Sequence, residues 1–338
     1  MTAGLDRVDT ILRGACGHQF TAAVARIDSH GTLLFEQAYG TTRLDSGAPV
    51  YVDTQFDLAS LTKLFITTLV LRAVDEKVLA LDEPLVGFFP QWRGNPHERI
   101  TLRMLLAHTS GMNSGADYRE LLDRNVEQFA LDTPLIAEPG ERVIYSDLGF
   151  IALGVLLERI YGRALAAITE RVFRSPSLRF RPYGRQRSAI PATEEDAWRG
   201  RVQGSVHDEK AYLMGGAAGH AGLFGTAADV ALLAEAYLGP LCGRATSLVS
   251  LPLVREATRE QAWDPTLRRG LGWALKTNDE NSCGRYFSML SFGHTGFVGT
   301  CIWVDPQRDV QGVLLTNSVY FGRNDTRDLR AAFYEAIP

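Results

Sequence analysis

Phe56-Asp57-Leu58-Ala59-Ser60-Leu61-Thr62-Lys63 decides how the rest of this 338-residue chain is read. From Ser60 onward apolar residues recur at helical spacing, at Leu61, Leu64, Phe65, Leu69 and Val74, which predicts a helix beginning at Ser60. Positions i and i+3 of a helix share a face, so the Lys63 amine comes within reach of the Ser60 hydroxyl. At a helix start, backbone N–H groups and the macrodipole favour a developing negative charge. A serine hydroxyl is a poor nucleophile until a base removes its proton. Isolated S-x-x-K quartets arise by chance, with the serine no more than a helix cap, so this one needs companions. It is the only S-x-x-K in the sequence.

Two companions lie downstream. Tyr145-Ser146-Asp147 follows Pro139-Gly140-Glu141 and opens an apolar run that ends at Tyr161. Asp147 reads as the N-cap of that helix and Gly162 as its stop. A tyrosine just ahead of a helix can project its phenol into a cleft and relay protons; taken alone it reads better as an ordinary core or surface aromatic. His294-Thr295-Gly296 heads a strand-like run, where small residues let backbone approach a substrate.

Outward from these points, residues 20–39 alternate around Ser29-His30-Gly31 as a β-hairpin. Short helices are predicted over 101–108 and 117–130, a helix from Thr226 to 238, and a last one over 325–336. Strands are predicted at 271–276, 285–292, 297–304 and 310–317. Residues 175–210, rich in Arg, Pro and Gly, read as a long irregular excursion. Strands, many helices, strands, then a helix is the pattern of one sheet built from both chain ends with a helical block inserted. The predicted division is 1–85 with 225–338 as an α/β sheet domain, and 86–224 as a mostly helical insertion. Sites in such folds commonly lie in the cleft between the parts.

In this order and context, the three elements resemble the S-x-x-K, Y-x-N and K-T-G motifs of the class C β-lactamase and penicillin-binding-protein superfamily. Phe56-Asp57-Leu58-Ala59 precedes the serine as in that family. Leu81-Asp82-Glu83-Pro84-Leu85 is similar to its L-D-D-P-V segment, and Leu105-Leu106-Ala107-His108-Thr109-Ser110-Gly111 to its L-L-x-H-T-S-G motif. Ala221-Gly222-Leu223-Phe224-Gly225-Thr226 with Asp229, and Gly270-Leu271-Gly272-Trp273, match later landmarks.

The resemblance implies an α/β (α+β) fold with an antiparallel sheet flanked by helices. It implies acyl transfer through a covalent intermediate on Ser60, with Lys63 and Tyr145 sharing proton transfer and neither assigned as the first base. It also implies an oxyanion hole from the N–H groups of Ser60 and Phe297, and substrate contacts from Asp147, His294, Thr295 and Gly296. The reaction needs no cofactor.

Asp147 stands where the family usually has Asn, and His294 where it often has Lys. A carboxylate near Lys63 keeps that amine protonated. A histidine, mostly neutral at pH 7, anchors a substrate carboxylate less well than lysine. Together they predict an esterase-like member that prefers short uncharged esters to β-lactams. D-alanyl-D-alanine carboxypeptidase or β-lactamase activity is the alternative. A penicillin- or acyl-binding sensor without turnover is an alternative of another class, and an α/β-hydrolase is disfavoured because no G-x-S-x-G elbow exists.

His207-Asp208 and His220 fit no standard zinc spacing, and His97-Glu98 lacks the second histidine of H-E-x-x-H, so no metal is expected. That cluster reads instead as a loop at the cleft rim, and His108 as a structural histidine. Lys and Arg total 35 against 39 Asp and Glu, which excludes the basic footprint of a nucleic-acid binder. The one basic run, Arg179, Arg181, Arg185 and Arg187, reads as a solvated loop. Cys16, Cys242, Cys283 and Cys301 are scattered, and Asp6, Arg7 and Asp9 break any signal-peptide core. No run is long enough for a membrane span. A cytoplasmic enzyme with a small-molecule acyl substrate is therefore predicted, its oligomeric state undetermined.

Overall fold

The structure, a computed structural model, describes every residue except Met1, Ser46, Arg185, Thr246, Ser247, Pro265 and Thr266, and leaves the side chains of Thr2 and Ala3 undescribed. Arg185 of the basic run therefore lies outside the described residues. In chain order the first elements are α1 (Thr2–Ala15), β1 (Ala22–Ser29), β2 (Thr32–Gly40), β3 (Phe56–Asp57) and α2 (Thr62–Asp75). The middle carries α3 (Leu102–Leu106), α4 (Val126–Asp132), α5 (Asp147–Tyr161), α6 (Leu165–Phe173), β4 (Arg179–Phe180), α7 (Gln186–Ala189), β5 (Glu194–Asp196), β6 (Gly200–Val202) and α8 (Glu209–Leu213). Then follow β7 (Leu223–Gly225), α9 (Ala227–Leu241), α10 (Leu251–Thr258), β8 (Arg268–Arg269) and β9 (Ala274–Leu275). The chain closes with β10 (Phe292–Thr295), β11 (Cys301–Asp305), β12 (Val310–Thr316) and α11 (Arg327–Glu335).

Seven strands form one antiparallel sheet in the order β2-β1-β12-β11-β10-β9-β8, so the two ends of the chain meet where β1 pairs with β12. Strand side chains alternate between faces, and the sequence alternates to match. Ala23, Ala25, Ile27, Trp303 and Leu314 pack with Val8 and Leu12 of α1 and Phe333 and Tyr334 of α11. Ala22, Val24, Ile302, Val304, Val313 and Leu315 face the other way, onto α9 and the larger core. That larger core runs on through α2, α3 and α5. Helix α2 is buried from Thr62 to Leu71. It is mostly apolar, as a helix enclosed on every side tends to be, with Lys63 and three threonines as its buried polar exceptions.

Several boundaries differ from the sequence reading, each for a local reason. Ser60 sits in a 3-10 turn (Ala59–Leu61), and the α-helix begins at Thr62. The cap of α5 is Ser146, whose hydroxyl accepts from the Gly149 N–H; Asp147 is the first helical residue, and Gly162 ends the helix in the left-handed conformation. Residues 117–130 break into a 3-10 turn at Tyr118–Glu120 and α4, because Asn125 caps a new start. Residues 285–291 are not a strand. Ser288 donates through its N–H and hydroxyl to Asp305, and Lys276 donates to the carbonyls of Arg285 and Phe287, so side chains take the bonds a ladder needs. Helix α1, interrupted by charges in the sequence, is amphipathic and rests on the sheet through Val8 and Leu12. Within 175–210, Arg179 and Phe180 pair with β7, and Glu194–Asp196 pair with Gly200–Val202. No helix among the described residues is long and apolar enough to cross a membrane.

Asn317, almost wholly buried, ties the ends of the sheet to the middle of the chain. Its carbonyl accepts from the N–H groups of Thr21 and Ala22 (both 3.0 Å), and its amide donates to Thr21 Oγ1 (2.8 Å) and the Ala192 carbonyl (2.7 Å). Each buried group left unpaired costs about 1–3 kcal/mol. Asn317→Ala is therefore expected to lose at least about 2 kcal/mol in urea unfolding at unchanged m-value; a loss under about 1 kcal/mol would contradict this reading of the anchor.

Candidate active site

Ser60 is presented by a strained turn. Ala59 has φ +46°, a left-handed conformation that side chains other than glycine rarely adopt. The turn is over-determined by its neighbours. Asp57 accepts from the N–H of Ala59 (2.8 Å) and of His207 (2.7 Å), Leu58 N–H donates to the Leu223 carbonyl (2.9 Å), and Thr300 Oγ1 donates to the Leu58 carbonyl (3.2 Å). Burial pushes the Asp57 pKa up against the pull of those two N–H groups. Ser60 itself stays partly exposed, while Lys63 one turn on is completely buried.

Lys63 Nζ donates to Ser60 Oγ (3.1 Å), Asp147 Oδ1 (2.9 Å) and the His220 carbonyl (3.1 Å). The other oxygen of Asp147 meets Lys210 Nζ at 3.2 Å; Lys210 lies 3.7 Å from Asp208, and Asp208 is 2.7 Å from His220 Nε2. The contacts close a ring of Lys63, Asp147, Lys210, Asp208 and His220, back to Lys63 through the His220 backbone, with Ser60 attached to it at Lys63. Burial alone depresses the pKa of Lys63, but Asp147 and Tyr145 outweigh it and hold the amine charged. Burial disfavours the charged form of Asp208 too; His220 and Lys210 overcome it and hold the carboxyl well below its ordinary range. Gly219 makes this closure possible, since a Cβ there would collide with the Phe150 carbonyl of α5.

Tyr145 lies beside this ring, its ring centroid 4.9 Å from Lys63 Nζ. Among the described residues no hydrogen bond joins it to Ser60; Lys63 stands between them. The loop carrying Tyr145 is built on residues 108–114. Ser146 N–H donates to His108 Nδ1 (3.1 Å), Ser114 Oγ to the Tyr145 carbonyl (2.7 Å), and Ser146 Oγ to the Asn113 carbonyl (2.7 Å). The His108 ring is tilted against Tyr145 at 4.6 Å, His294 lies 6.2 Å away, and the Arg269 guanidinium carbon is 5.4 Å from the same ring.

The hydrogen bonds fix both tautomers. His108 Nδ1 accepts, so Nε2 carries the proton; His294 Nδ1 faces the Thr295 carbonyl at 2.8 Å, so it donates and Nε2 is a bare acceptor. Neither Nε2 has a partner among the described residues. Burial, with Lys63 and Arg269 adding to it, pushes the His294 pKa down to about 3; burial, then Arg269 and Lys63, pushes His108 well below its ordinary value. Both are neutral imidazoles at pH 7.

The segment after His294 is clamped onto the Ser60 turn. Arg330 donates to the carbonyls of Gly296 (2.8 Å) and Thr300 (3.4 Å), and Gly296 N–H donates to the Thr300 carbonyl (2.7 Å). A Cβ on Gly296 would lie 2.9 Å from the Leu58 carbonyl and 3.2 Å from Ala59 Cβ, so only glycine lets the strand end approach this closely. No hydrogen bond uses the Phe297 N–H among the described residues, and its ring is exposed, stacked on His207 at 5.6 Å.

Ser60, Lys63, Tyr145, Asp147 and His294 are thus neighbours, with Thr295, Gly296 and Phe297 continuing from His294. Asp147 has both oxygens taken by lysines, so it leaves no net negative field in the pocket, and the sequence argument against anionic substrates loses that support. Asp208, His220, Lys210 and Arg269 belong to the same neighbourhood and were missed as site residues. Val206-His207-Asp208-Glu209 and Gly219-His220-Ala221-Gly222 hinted at the first two, but nothing in the sequence separates Lys210 or Arg269 from surface charges. Asp147, Asp208 and His220 could offer three ligand atoms within 4.8 Å of one another. Lys210 already bridges the two carboxylates and Lys63 takes the other oxygen of Asp147, a donor set that suits an ion-pair ring better than a metal.

The Beta-lactamase family model matches residues 8–336. An N-acetylmuramyl-L-alanine amidase of Bacillus subtilis (strain 168) is 30% identical over 363 residues, covering 94% of this chain and 81% of that one. A protein of Escherichia coli (strain K12), provisionally named as a D-alanyl-D-alanine carboxypeptidase, is 30% identical over 316 residues, covering 82% of this chain and 72% of its own. Among solved structures, EstCE1, a hydrolase with promiscuous acyltransferase activity, shares the fold at TM-score 0.79 and 21% identity, covering 98% of this chain and 99% of that one. The chain belongs to the β-lactamase family, within the superfamily of serine β-lactamases and penicillin-binding proteins. By class it is a serine hydrolase.

The two neutral imidazoles set a pH dependence. Unfolded, a histidine takes up a proton near pH 6.5; folded, His294 stays neutral down to about 3, so the unfolded state binds more protons in between and stability falls as pH drops through that window. From pH 7 to 5 one such histidine costs roughly 2 kcal/mol. His294→Gln is expected to shrink the loss between those pH values by about that amount in urea titrations; an unchanged loss would contradict a neutral, buried His294.

Proposed function

We propose that the protein cleaves small acyl substrates, esters most readily, through an acyl-enzyme on Ser60. The observation that carries this reading is the Lys63 ammonium bound at once to Ser60 and Asp147. An amine held charged cannot take the first proton, which leaves Tyr145. The negative charge of a Tyr145 phenolate would have the Lys63 ammonium and the Arg269 guanidinium beside its ring. In the proposed sequence Tyr145 starts as the phenolate: the Ser60 oxygen attacks the carbonyl carbon while its proton passes to the phenolate oxygen, and Lys63 holds the serine oxygen in place. The oxyanion is held by the N–H groups of Ser60 and Phe297, donors worth about 3 kcal/mol each where such groups have been removed. Tyr145 returns the proton to the leaving group as the carbonyl re-forms, and water repeats the cycle to release the acid.

We read 1–85 with 225–338, and 86–224, as the two parts that close over the substrate. Ser60, Lys63 and His294 come from the first, and Tyr145, Asp147, Asp208, Lys210 and His220 from the second. The names of the relatives, an amidase and a carboxypeptidase, favour a second reading in which the scissile bond is an amide. Esters come first because their alkoxide leaving group departs with less help from an acid.

A fluorophosphonate is expected to label one peptide, the one containing Ser60, and Ser60→Ala to abolish both labelling and ester turnover. Labelling that survives in Ser60→Ala would sink the assignment. Lys63→Ala and Tyr145→Phe are each expected to lower kcat by about 100-fold or more, and the double variant by little beyond the worse single one. Near-normal kcat in Tyr145→Phe would require another base.

A further inference from the structure

His207 lies outside the proton-handling ring, yet it touches both turns that carry the proposed oxyanion donors. It is almost wholly buried, in the loop before α8. Its N–H donates to Asp57 Oδ2 (2.7 Å), while Asp57 Oδ1 accepts from the N–H of Ala59 (2.8 Å), the residue before Ser60. Its ring stacks on Phe297, with centroids 5.6 Å apart and planes 22° from parallel. That ring is itself held, since Nε2 lies 2.7 Å from Glu194 Oε2 of β5. The His207 hydrogen bond first, and then Arg323, hold the Glu194 pKa down to about 2 against burial. Glu194 is thus an acceptor only, and His207 Nε2 carries the proton between them. Arg323 donates to both oxygens of Glu194 (3.1 and 3.0 Å) and to Glu209 (2.6 Å), and its guanidinium carbon lies 5.6 Å from the Phe297 ring.

The Phe297 backbone needs such a hold. Gly296 and Gly299 bracket its turn, and glycine leaves the backbone more freedom than any other residue. The N–H and Cβ of Phe297 share one Cα, so a ring pinned by an imidazole and a guanidinium limits where that N–H can point. An oxyanion donor helps only when aimed at the oxygen of the transition state, and a misplacement of about 1 Å can cost on the order of 100-fold in rate. We infer that His207 is the positioning residue of the oxyanion hole: its backbone steadies the Ser60 turn through Asp57, and its ring aims the Phe297 N–H. This rests on the Ser60 reading, in which those two N–H groups hold the oxyanion, and adds the residue that sets them relative to each other. His207 and Glu194 come from the middle of the chain, and Ser60, Phe297 and Arg323 from its two flanks, so the aim of the hole depends on how the middle segment is seated.

The test measures p-nitrophenyl acetate turnover and phenylboronic acid affinity on wild type, His207→Ala, His207→Phe and Phe297→Ala. The boronic acid reports on the hole because its tetrahedral adduct on a serine places a hydroxyl where the oxyanion forms. His207→Ala is expected to lower kcat at least about ten-fold with KM within about two-fold, and to weaken phenylboronic acid by a similar factor. His207→Phe keeps a ring against Phe297 and should recover most of both losses. Phe297→Ala keeps its N–H but loses the ring, and should match His207→Ala, a readout that stands even if His207→Ala does not fold. A side chain that only props the fold would move the urea midpoint and leave the kcat and boronate affinity of the folded protein alone. Both values within about two-fold of wild type, in folded His207→Ala or in Phe297→Ala, would overturn the inference, as would a loss of kcat at unchanged boronate affinity. End-point fluorophosphonate labelling of wild type separates the two readings. Ser60 labelled alongside either of those results defeats only the role of His207, whereas an unlabelled Ser60 defeats the acyl-enzyme reading itself.

Discussion

The salt bridge between Lys63 and Asp147 is the constraint on which the site depends. It joins helix α2 to the first turn of a helix from the middle of the chain, with Lys63 wholly buried and Asp147 partly so. A lone buried ammonium would give up its proton, but here two carboxylates and two ammonium groups alternate, so each charge has an opposite neighbour. The alternation holds Lys63 in its charged form. The members of the ring come from α2, α5, the start of α8 and the loop before β7, so loss of any one relaxes the register of the others.

The fold was legible where periodicity and caps carried it. The hairpin around His30-Gly31, the apolar α5 ending at Gly162, and the start of α9 at Thr226 are local features that tertiary contacts reinforce. It was illegible where side chains supplant the ladder. Residues 285–291 have strand-like composition, yet Asp305 and Lys276, 17 and 9 residues from Ser288 and Arg285, claim their backbone groups. No window of local sequence contains those partners. Helix α1 escaped notice because its apolar stripe is narrow and gains meaning only against the sheet.

The site divides along a similar line. Ser60 and Lys63 lie within one turn of each other, so their proximity could be read from spacing alone; Tyr145 and His294 were found through resemblance, since 85 and 234 residues separate them from Ser60. The substitution of Asp for Asn at 147 was visible in the sequence, and its effect on Lys63 followed from charge. What could not be read was the answering lysine. Lys210 looks like any charged residue of a short helix, yet it takes the second oxygen of Asp147 and so removes that carboxylate from the argument about anionic substrates. Arg269 shows the same limit: burial beside Tyr145 is a property of the assembled chain.

The central claim is that Lys63 is an ammonium throughout the working pH range. The most direct measurement is NMR of protein carrying isotopically labelled lysine, with the Lys63 signal assigned by comparison with Lys63→Arg and followed from pH 6 to pH 10. The account predicts a side chain that stays charged across that whole range. A Lys63 signal that titrates to the neutral amine with a midpoint near or below pH 8 would contradict it, and would return the first proton transfer to the lysine.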